Sequence, residues 1–587
     1  MQGGNSFKKM KQYSNDINAL MLLSLMKQHG IKKVIASPGT TNLAIVGSMQ
    51  HDEYFEMYSS VDERSAAYMA CGMAAESGEP VAIICTGATA SRNYYPGLTE
   101  AYYRKLPVLV IAGSHGELVI GHLHSQVIDR TESPRDTFVY KAFINPAKDK
   151  TIRWYNNIEI NKGLLKLRQH GGGPVLLNIV ANPAAEFDTN DLPKERMIFI
   201  HKVGDKLPEL RKGRIAVFIG AHIQMPNKLQ DVIDKFCSSN NAVVFCDHTS
   251  GYQGKYRFNA TLVHGQSFLN TDIDRPDVLI HIGEVSGDTY TTNHLKPKTV
   301  WRVSTDGEVR DLFKTLTRVF EMDEQTFFMH YTNEAIQDDS YLKDCLKLYE
   351  DVYNQLPEFG FGNIYIAKIL SANMPKNSVI HFGIYNSLRT WNLFRLDPSI
   401  QTSCNVGGFG IDGACSTLIG ASLATPEKIH FLNVGDLAFF YDLNAIGNRH
   451  VGNNVRIILI NNGRGVEFRK KDHPGYRFGA EADLYMAAAG HYGNQSPELV
   501  KHYATDLGFE YMSASSKEEL GLVKDRFLTP KLTDKPMLLE VFPDYKDDVD
   551  NLDMIRHTLP DSRNILEKVE DSTKKALKGG IKSVFKR

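Results

Sequence analysis

The chain has 587 residues, with 42% hydrophobic residues, 23% charged residues and a formal net charge of -1. This balance shows no basic excess for nucleic acid, and no apolar run approaches the roughly 18 residues that span a bilayer. Seven cysteines without a CxxC spacing argue against a disulfide framework or a zinc site, and the N-terminus lacks the apolar core of a secretory signal. We therefore predict a large cytoplasmic enzyme.

Short apolar runs alternate with helical patterns along the whole chain, which is typical of βαβ units with buried parallel strands. The runs fall into three groups: 32–39, 80–87, 107–114 and 174–180; 215–222, 242–247 and 278–283; and 378–383, 429–436, 455–462 and 536–542. They predict an α/β fold made of three consecutive doubly wound parallel-sheet domains.

We place the three domains at 12–185, 195–335 and 350–560, with polar linkers at 181–195 and 322–339. A basic tail, 561–587, follows the third domain. We interpret this tail as solvated, with contact to an anionic surface as the alternative.

Two neighbouring segments of the first domain are candidates for ligand binding. VDERSAAYMACGMAAESG (61–78) places Glu63 where an amphipathic helix begins. Glu63 is either a first-turn acid favoured by the helix dipole or a half-buried acid that faces a heteroaromatic ring nitrogen. TGATASRNYYPGLTEAYYRKLPVLVIAGS (86–114) begins with a loop of small residues, which either admits a flat ligand or forms a tight turn.

The segment GDLAFFYDLNAIGNRHVGNNVRIILINNGRG (435–465) joins two predicted strands of the third domain. A helix is predicted over 442–450, so Asp436 and Asn462 should follow the carboxyl ends of neighbouring parallel strands, where α/β sheets bind ligands. A carboxylate, an amide oxygen and a backbone carbonyl suit Mg²⁺ on a diphosphate, with helix amides as further donors. The alternative is a helix cap and a turn without a ligand.

These motifs, in this order, resemble the thiamine-diphosphate-dependent superfamily of 2-oxo-acid decarboxylases and acetolactate synthases. The similarity spans about residues 12–560 and is greatest to the menaquinone-pathway carboligases. The shared phrases are SPG (37–39), DERSAA (62–67), NYYP (93–96), SQVID (125–129), NSL (386–388), GIDG (410–413) and GDLAFFYDLNA (435–445). The resemblance implies pyrimidine-binding, Rossmann-like middle and diphosphate-binding domains.

The resemblance also implies the cofactors and their ligands. Glu63 would hydrogen-bond the aminopyrimidine ring of thiamine diphosphate, with a raised pKa. Asp436, Asn462 and the backbone carbonyl of Arg464 would hold Mg²⁺, and Ile411 would support the bent cofactor. Further cofactor contacts are implied for Gly39, Thr89, Asn93, Ser387, Gly410, Gly435, Leu437 and Val466. The active sites would lie across a homodimer interface, and a dimer of dimers is compatible with this arrangement.

The sequence departs from the carboligases where they carry substrate-binding arginines. Thr41, Trp391 and Val406 stand at those positions, so the substrate assignment does not carry over. A loop that gains His115, His122 and His124 precedes Gln126, which matches an active-site glutamine of the family. We predict His122, His124 and Gln126 as catalytic residues, with surface histidines as the alternative. Weaker substrate candidates are Thr41, Arg92, Arg389, Arg464 and Arg469.

The predicted function is decarboxylation of a 2-oxo acid and transfer of the resulting acyl carbanion to an anionic acceptor. One alternative is a simple non-oxidative decarboxylase, in which histidines supply the proton. Another is a catalytically inactive homologue that binds the cofactor, and a synthase or oxidase with bound flavin is a fourth hypothesis. No nucleic acid or membrane partner is predicted.

Overall fold

The computed structural model of the protein describes residues 12–333 and 337–561. These residues form two compact units: one extends to residue 202 and includes 307–319, and the other comprises 203–306 and the chain from 320. The predicted boundaries at 185, 195, 335 and 350 stay a prediction. Except for Asp561, the predicted basic tail lies outside the described residues. Within the described ranges, no helix has the length and apolar character needed to cross a bilayer.

The first unit contains a parallel sheet in the order β3-β2-β4-β5-β7-β6, and β1 pairs with β8 in antiparallel fashion. Its strands are β1 (Tyr13–Ser14), β2 (Lys33–Ala36), β3 (Glu56–Ser59), β4 (Val81–Thr86), β5 (Val108–Gly113), β6 (Tyr140–Ile144), β7 (Val175–Ile179), β8 (Phe187–Thr189) and β9 (Phe199–Lys202). Its helices are α1 (Ile17–Gln28), α2 (Leu43–Gln50), α3 (Glu63–Ser77), α4 (Thr89–Asn93), α5 (Tyr95–Tyr103) and α6 (Lys150–Lys166).

Helix α3 begins at Glu63, as predicted. The Asp62 side chain accepts a hydrogen bond from the Arg64 amide, which satisfies one of the free donors at the helix start. The helix ends at Gly78, whose φ of 68° lies in the left-handed region that favours glycine. Local capping therefore fixes the position of Glu63 at the end of α3 that follows β3.

The second unit contains two parallel sheets. In the first of them, five strands follow the order β12-β11-β10-β13-β14. The elements of this region are β10 (Ile215–Ile219), β11 (Ala242–Phe245), β12 (Arg257–Phe258), β13 (Val278–Ile282), β14 (Thr299–Ser304), β15 (Leu316–Glu321), α7 (Asn227–Asn240), α8 (Thr261–His264), α9 (Thr289–His294) and α10 (Glu324–His330). Of these, β15 crosses the boundary between the two units.

The other sheet of this unit follows the order β17-β16-β18-β19-β21-β20, and all its pairs are parallel. Its strands are β16 (Val379–Phe382), β17 (Gln401–Cys404), β18 (His430–Gly435), β19 (Val455–Ile460), β20 (Glu510–Ala514) and β21 (Met537–Val541). Its helices are α11 (Ser340–Tyr353), α12 (Asn363–Ser371), α13 (Asn386–Trp391), α14 (Ala414–Ala424), α15 (Asp436–Tyr441), α16 (Ala482–Tyr485), α17 (Tyr492–Gln495), α18 (Glu498–Asp506), α19 (Lys517–Phe527) and α20 (Tyr545–Arg556).

The three parallel sheets confirm the predicted fold class, and every predicted apolar run contains a strand. The helix predicted over 442–450 is wrong. Instead, α15 covers Asp436–Tyr441, and Leu443–Gly447 forms a 3-10 helix. Helix α15 therefore starts directly at the acid of the GD pair. Asp442 lies between α15 and the 3-10 helix, and its carboxylate accepts hydrogen bonds from the amide and hydroxyl of Ser416 at 2.7 and 2.8 Å.

Candidate functional site

Asp436 and Asn462 follow neighbouring strands of the last sheet. Strand β18 pairs with β19 in a register that sets Gly435 opposite Ile460. Asp436 is 3% exposed, and its Oδ2 accepts a hydrogen bond from the Gly463 amide at 2.7 Å. The structure therefore brings together the two parts of the motif that the sequence separates by a crossover.

The side chain of Asn462 has one satisfied end and one free end. Its Nδ2 donates to Asp548 Oδ2 on α20 at 2.8 Å. Its Oδ1 is buried, and within the described ranges it has no hydrogen-bond partner. A buried amide oxygen without a partner is uncommon, and it is a suitable ligand for a hard cation.

His491 is a residue of this site that the sequence analysis missed. Its Nδ1 accepts a hydrogen bond from the Asn494 amide at 3.2 Å, so the proton lies on Nε2. Nε2 donates to Asp436 Oδ2 at 2.9 Å. No motif marks His491, which lies 55 residues from Asp436 along the chain. The contact orients the carboxylate of Asp436.

The site fits a metal-bound diphosphate by its donor set. Asp436 supplies a carboxylate and Asn462 a free amide oxygen, and a Cβ placed at Gly435 would meet no heavy atom within 4 Å, so the space beside this glycine is open. No group of three or more His, Cys, Asp and Glu side chains within the described ranges is arranged to hold a metal. A cation here would therefore depend on one carboxylate, neutral oxygens and the phosphate itself, which is the preference of Mg²⁺.

The other residues predicted for this half differ in exposure and contacts. Leu437 follows Asp436 and donates its amide to Asp436 Oδ1 at 2.8 Å, and Val466 is buried. Ser387 is buried in α13, whereas Ile411 is 38% exposed. Gly410 precedes Ile411, and a Cβ placed on Gly410 would lie 2.2 Å from Asp412 Oδ1. Their roles as cofactor contacts stay predictions.

The first unit holds the other predicted half. Glu63 is partly exposed, and its Oε2 accepts a hydrogen bond from Asn93 Nδ2 at 3.1 Å. Asn93 is the last residue of α4, which begins at the predicted contact Thr89. A Cβ at Gly39 would lie 2.5 Å from the Cβ of Thr86, so this glycine is required by contact with β4. The structure thus places two of the predicted residues, Glu63 and Asn93, in direct hydrogen-bonding contact.

The predicted catalytic residues of the following loop are all exposed. His122, His124 and Gln126 lie between β5 and β6, and Gln126 has a φ of 62°. The Arg92 guanidinium, also exposed, donates to the carbonyl of Asp129 in this loop at 3.0 Å. Nothing in the described contacts joins these histidines to Glu63, so their catalytic role stays a prediction.

The arginines predicted to bind substrate have partners within the protein. Arg389 Nη1 donates to Glu467 Oε2 at 2.6 Å. Arg464 Nη1 donates to Asp483 Oδ2 at 2.6 Å, and Arg469 donates to the carbonyl of Gly479. These contacts neutralise or occupy the guanidinium groups, and their role toward substrate stays a prediction.

Apolar or hydroxyl side chains stand at the three positions where the resemblance implies substrate-binding arginines, and all three are buried. Val406 is 3% exposed and Trp391 is fully buried. Thr41 is 4% exposed, and its hydroxyl lies 2.6 Å from that of Thr86. These side chains are packed inside the protein and carry no charge, so none of them can form an ion pair with an anionic substrate; the predicted role of Thr41 stays a prediction.

Comparison with known proteins agrees with this geometry. Residues 19–133 match the family model described as thiamine pyrophosphate enzyme, N-terminal TPP binding domain. The 2-succinyl-5-enolpyruvyl-6-hydroxy-3-cyclohexene-1-carboxylate synthase of Bacteroides thetaiotaomicron is 30% identical over 568 residues, covering 93% of this chain and 99% of that protein. The synthase of the same name from Flavobacterium johnsoniae is 28% identical over 555 residues, covering 90% and 97%.

These matches confirm the resemblance inferred from the motifs and the predicted class of enzyme. The N-terminal match contains Glu63 and Asn93, and the relatives span nearly the whole chain, including the Asp436 and Asn462 motif. The chain belongs to the family of thiamine-diphosphate-dependent enzymes that includes the 2-succinyl-5-enolpyruvyl-6-hydroxy-3-cyclohexene-1-carboxylate synthases.

Proposed function

We propose that this protein is a thiamine-diphosphate- and Mg²⁺-dependent carboligase, which decarboxylates a 2-oxo acid and joins the remaining acyl unit to an acceptor. The observation that carries the proposal is the free, buried Oδ1 of Asn462, which precedes in sequence the glycine whose amide donates to the Asp436 carboxylate. Membership of a family of synthases supports formation of a carbon–carbon bond.

Thiamine diphosphate, when bound, supplies the nucleophilic carbon and the electron sink that decarboxylation of a 2-oxo acid requires. Asp436 and Asn462, with the backbone carbonyl of Arg464, would hold Mg²⁺, and the cation would neutralise the charge of the diphosphate. His491 and Asp548 keep the carboxylate and the amide in their orientations. Asn461, which precedes Asn462, donates from its side-chain Nδ2 to the carboxyl group of Glu540. Burial raises the pKa of Glu540 to about 7.

Glu63 would hydrogen-bond the aminopyrimidine ring of the bound cofactor, and its carboxyl group would supply the proton-exchanging group beside that ring. Its carboxylate is oriented by the Asn93 amide. A homodimer that joins Glu63 of one subunit to the Asp436–Asn462 pair of the other is part of the proposal, and the family resemblance is what supports it.

The protein works in a reducing, cytoplasmic environment. All seven cysteines are free thiols, and six of them are buried. Burial raises the pKa of the Cys71 thiol to about 11, which keeps it protonated and unreactive near neutral pH.

The test is release of CO₂ from a set of 2-oxo acids with thiamine diphosphate and Mg²⁺, first without and then with aldehyde or enoyl acceptors. We expect CO₂ release that depends on both cofactors and a new product that contains the acceptor. Accumulation of the free aldehyde, with no adduct for any acceptor, would show a simple decarboxylase instead. No CO₂ from any donor would contradict the proposal.

A further inference from the structure

Arg130 is a buried cation without a counter-charge. Its side chain is 7% exposed, and its one hydrogen bond within the described ranges is a long contact from Nη1 to Ser91 Oγ at 3.5 Å. Among the residues that the structure describes, no carboxylate lies within ion-pairing distance of the Arg130 guanidinium. Buried charges in proteins are normally paired, because removal of an ion from water is unfavourable.

Arg456 shows how this fold satisfies an arginine that has only a structural role. Arg456 is fully buried, and its guanidinium donates to the carbonyls of Phe527, Thr529 and Lys531 at 2.9, 2.5 and 2.8 Å. Arg130 has no such set of carbonyls. Burial lowers the pKa of its guanidinium, as expected for a cation that lacks a counter-charge.

The surroundings of Arg130 belong to the loop of small residues that precedes α4. A Cβ placed on Gly87 would lie 3.2 Å from Arg130 Nη2, so the guanidinium packs against this glycine. Next to it, Ala88 has a φ of 58°, a backbone conformation that non-glycine residues rarely adopt and that clusters at functional sites. The protein therefore positions Arg130 without neutralising it.

Helix α4 connects Arg130 with Glu63. Ser91 of this helix contacts Arg130, and Asn93, two residues later, holds the Glu63 carboxylate. Residues two apart in a helix are separated by a rise of about 3 Å and point to different sides of it, so α4 contacts the guanidinium on one side and the carboxylate on another. Arg130 and the acid proposed to act on the cofactor are therefore held by the same five-residue helix.

We propose that Arg130 binds a carboxylate group of the substrate that is retained in the product. This inference rests on the proposed function. The carboxylate that leaves as CO₂ is an unsuitable partner, since an ion pair to it would stabilise the ground state and would be lost as the charge departs. A second carboxylate, on a dicarboxylic 2-oxo acid or on the acceptor, keeps its charge throughout and forms a bidentate pair with the planar guanidinium.

This assignment accounts for the filled positions at Thr41, Trp391 and Val406. The resemblance implies arginines at these positions, whereas this chain has buried packing there. Arg130 supplies a guanidinium from the same loop as Gln126, directly after SQVID. In this proposal the charge that holds the substrate comes from this loop instead of from those three positions.

The test uses the full-length protein with Arg130→Gln and Arg130→Lys, and Arg135→Gln as a control at an exposed arginine of the same loop. Thermal unfolding comes first. Removal of an uncompensated buried charge should leave the unfolding temperature unchanged or raise it. A marked fall in Arg130→Gln, like that expected for Arg456→Gln, would overturn the proposal because Arg130 would then be structural.

Binding is measured next by calorimetry with glutarate, an unreactive dicarboxylate, and does not depend on turnover. We expect the affinity for glutarate to fall between about tenfold and a hundredfold in Arg130→Gln, to fall less in Arg130→Lys and to be unchanged in Arg135→Gln. Equal affinity in all four proteins, or no binding to the wild type, would count against the proposal.

Kinetics then identify which substrate carries the carboxylate. If the donor carries it, Arg130→Gln raises KM for 2-oxoglutarate but not for pyruvate. If the acceptor carries it, CO₂ release is unchanged, and KM rises for succinic semialdehyde but not for butanal, with pyruvate as donor. No change in any of these constants would overturn the proposal. A wild type that releases no CO₂, yet binds glutarate through Arg130, would instead refute the proposed function alone.

Discussion

The amide of Asn462 is held by Asp548, 86 residues further along the chain. Nδ2 donates to Asp548 Oδ2 at 2.8 Å, and the other carboxylate oxygen of Asp548 accepts the backbone amide of Asn363. With both of its oxygens engaged, Asp548 admits only one orientation of Asn462, in which Oδ1 stays free. The ligand geometry proposed for Mg²⁺ is thus set by a residue outside the motif.

Asp548→Asn should weaken Mg²⁺-dependent binding of thiamine diphosphate. The new amide has one acceptor oxygen, so it cannot accept from both Asn363 and Asn462 in their present orientations. We expect a loss of affinity of between about tenfold and a hundredfold, typical of residues that orient metal ligands. Calorimetric titration of the cofactor at fixed Mg²⁺ measures it, with Asp550→Asn, exposed on the same helix, as control. Equal affinity in both variants would contradict the assignment.

Asp436→Ala should abolish Mg²⁺-dependent cofactor binding at concentrations that saturate the wild type. The change removes the one carboxylate of the proposed donor set and leaves the Gly463 amide and His491 without their acceptor. The same titration, carried out with and without Mg²⁺, measures the effect. His491→Gln should weaken binding much less, because Asp436 keeps its contacts with Gly463 and Leu437. An Asp436→Ala variant with wild-type affinity would refute the metal site.

The central strands of the first and last sheets could be predicted from the sequence, whereas their edge strands could not. Strands β4, β5 and β19 are buried along their length and therefore form unbroken apolar runs. Strand β3, at the edge of its sheet, consists of EMYS and is partly exposed, so its apolar signal is weak. The same holds for β20 at the edge of the last sheet.

The motif residues of the site were found from the sequence because strand ends meet at one edge of a parallel sheet. Their partners were not, since the contacts of His491 and Asp548 depend on how distant helices pack. Arg130 was missed for a different reason. An arginine in a polar loop has the same sequence signature whether it is solvated or buried without a partner, and only burial distinguishes the two.

Glu63→Gln should keep the fold and most of the affinity for thiamine diphosphate but lose activity. The amide retains the size of the side chain, but it cannot exchange a proton with the cofactor ring. We expect CO₂ release to fall by at least about a hundredfold. Exchange of the C2 proton of the bound cofactor, followed by NMR, checks the cause; fast exchange in Glu63→Gln would contradict it. Asn93→Ala, which removes only the orienting amide, should lose less activity.

Arg389 and Glu467 should behave as a structural ion pair. Their side chains are 18% and 22% exposed, and Lys470 lies 3.3 Å from the same carboxylate. Arg389→Gln alone should reduce the free energy of unfolding by about 1–3 kcal/mol, because it removes the principal partner of a largely buried carboxylate. The double variant with Glu467→Gln should lose less than the sum of the single changes. Additive losses, together with a raised KM for the donor, would favour a substrate-binding role for Arg389.

Asp247 should make stability depend on pH. It is 7% exposed, and burial raises its pKa to about 6, above the ordinary value of 3.8. The native state therefore holds this proton more tightly than the unfolded chain does, and the contribution of Asp247 to the free energy of unfolding falls as pH rises from about 4 to about 6. Asp247→Asn keeps a neutral side chain beside Thr249 and Ser286 at every pH.

As the pH rises from 4 to 7, the free energy of unfolding of Asp247→Asn should therefore increase relative to that of the wild type, by about 1–3 kcal/mol. Urea unfolding at several pH values, with Asp231→Asn at an exposed position of α7 as control, measures the difference. A difference between Asp247→Asn and wild type that does not change with pH would show that the pKa of Asp247 is the same in the native and unfolded states, and would contradict this prediction.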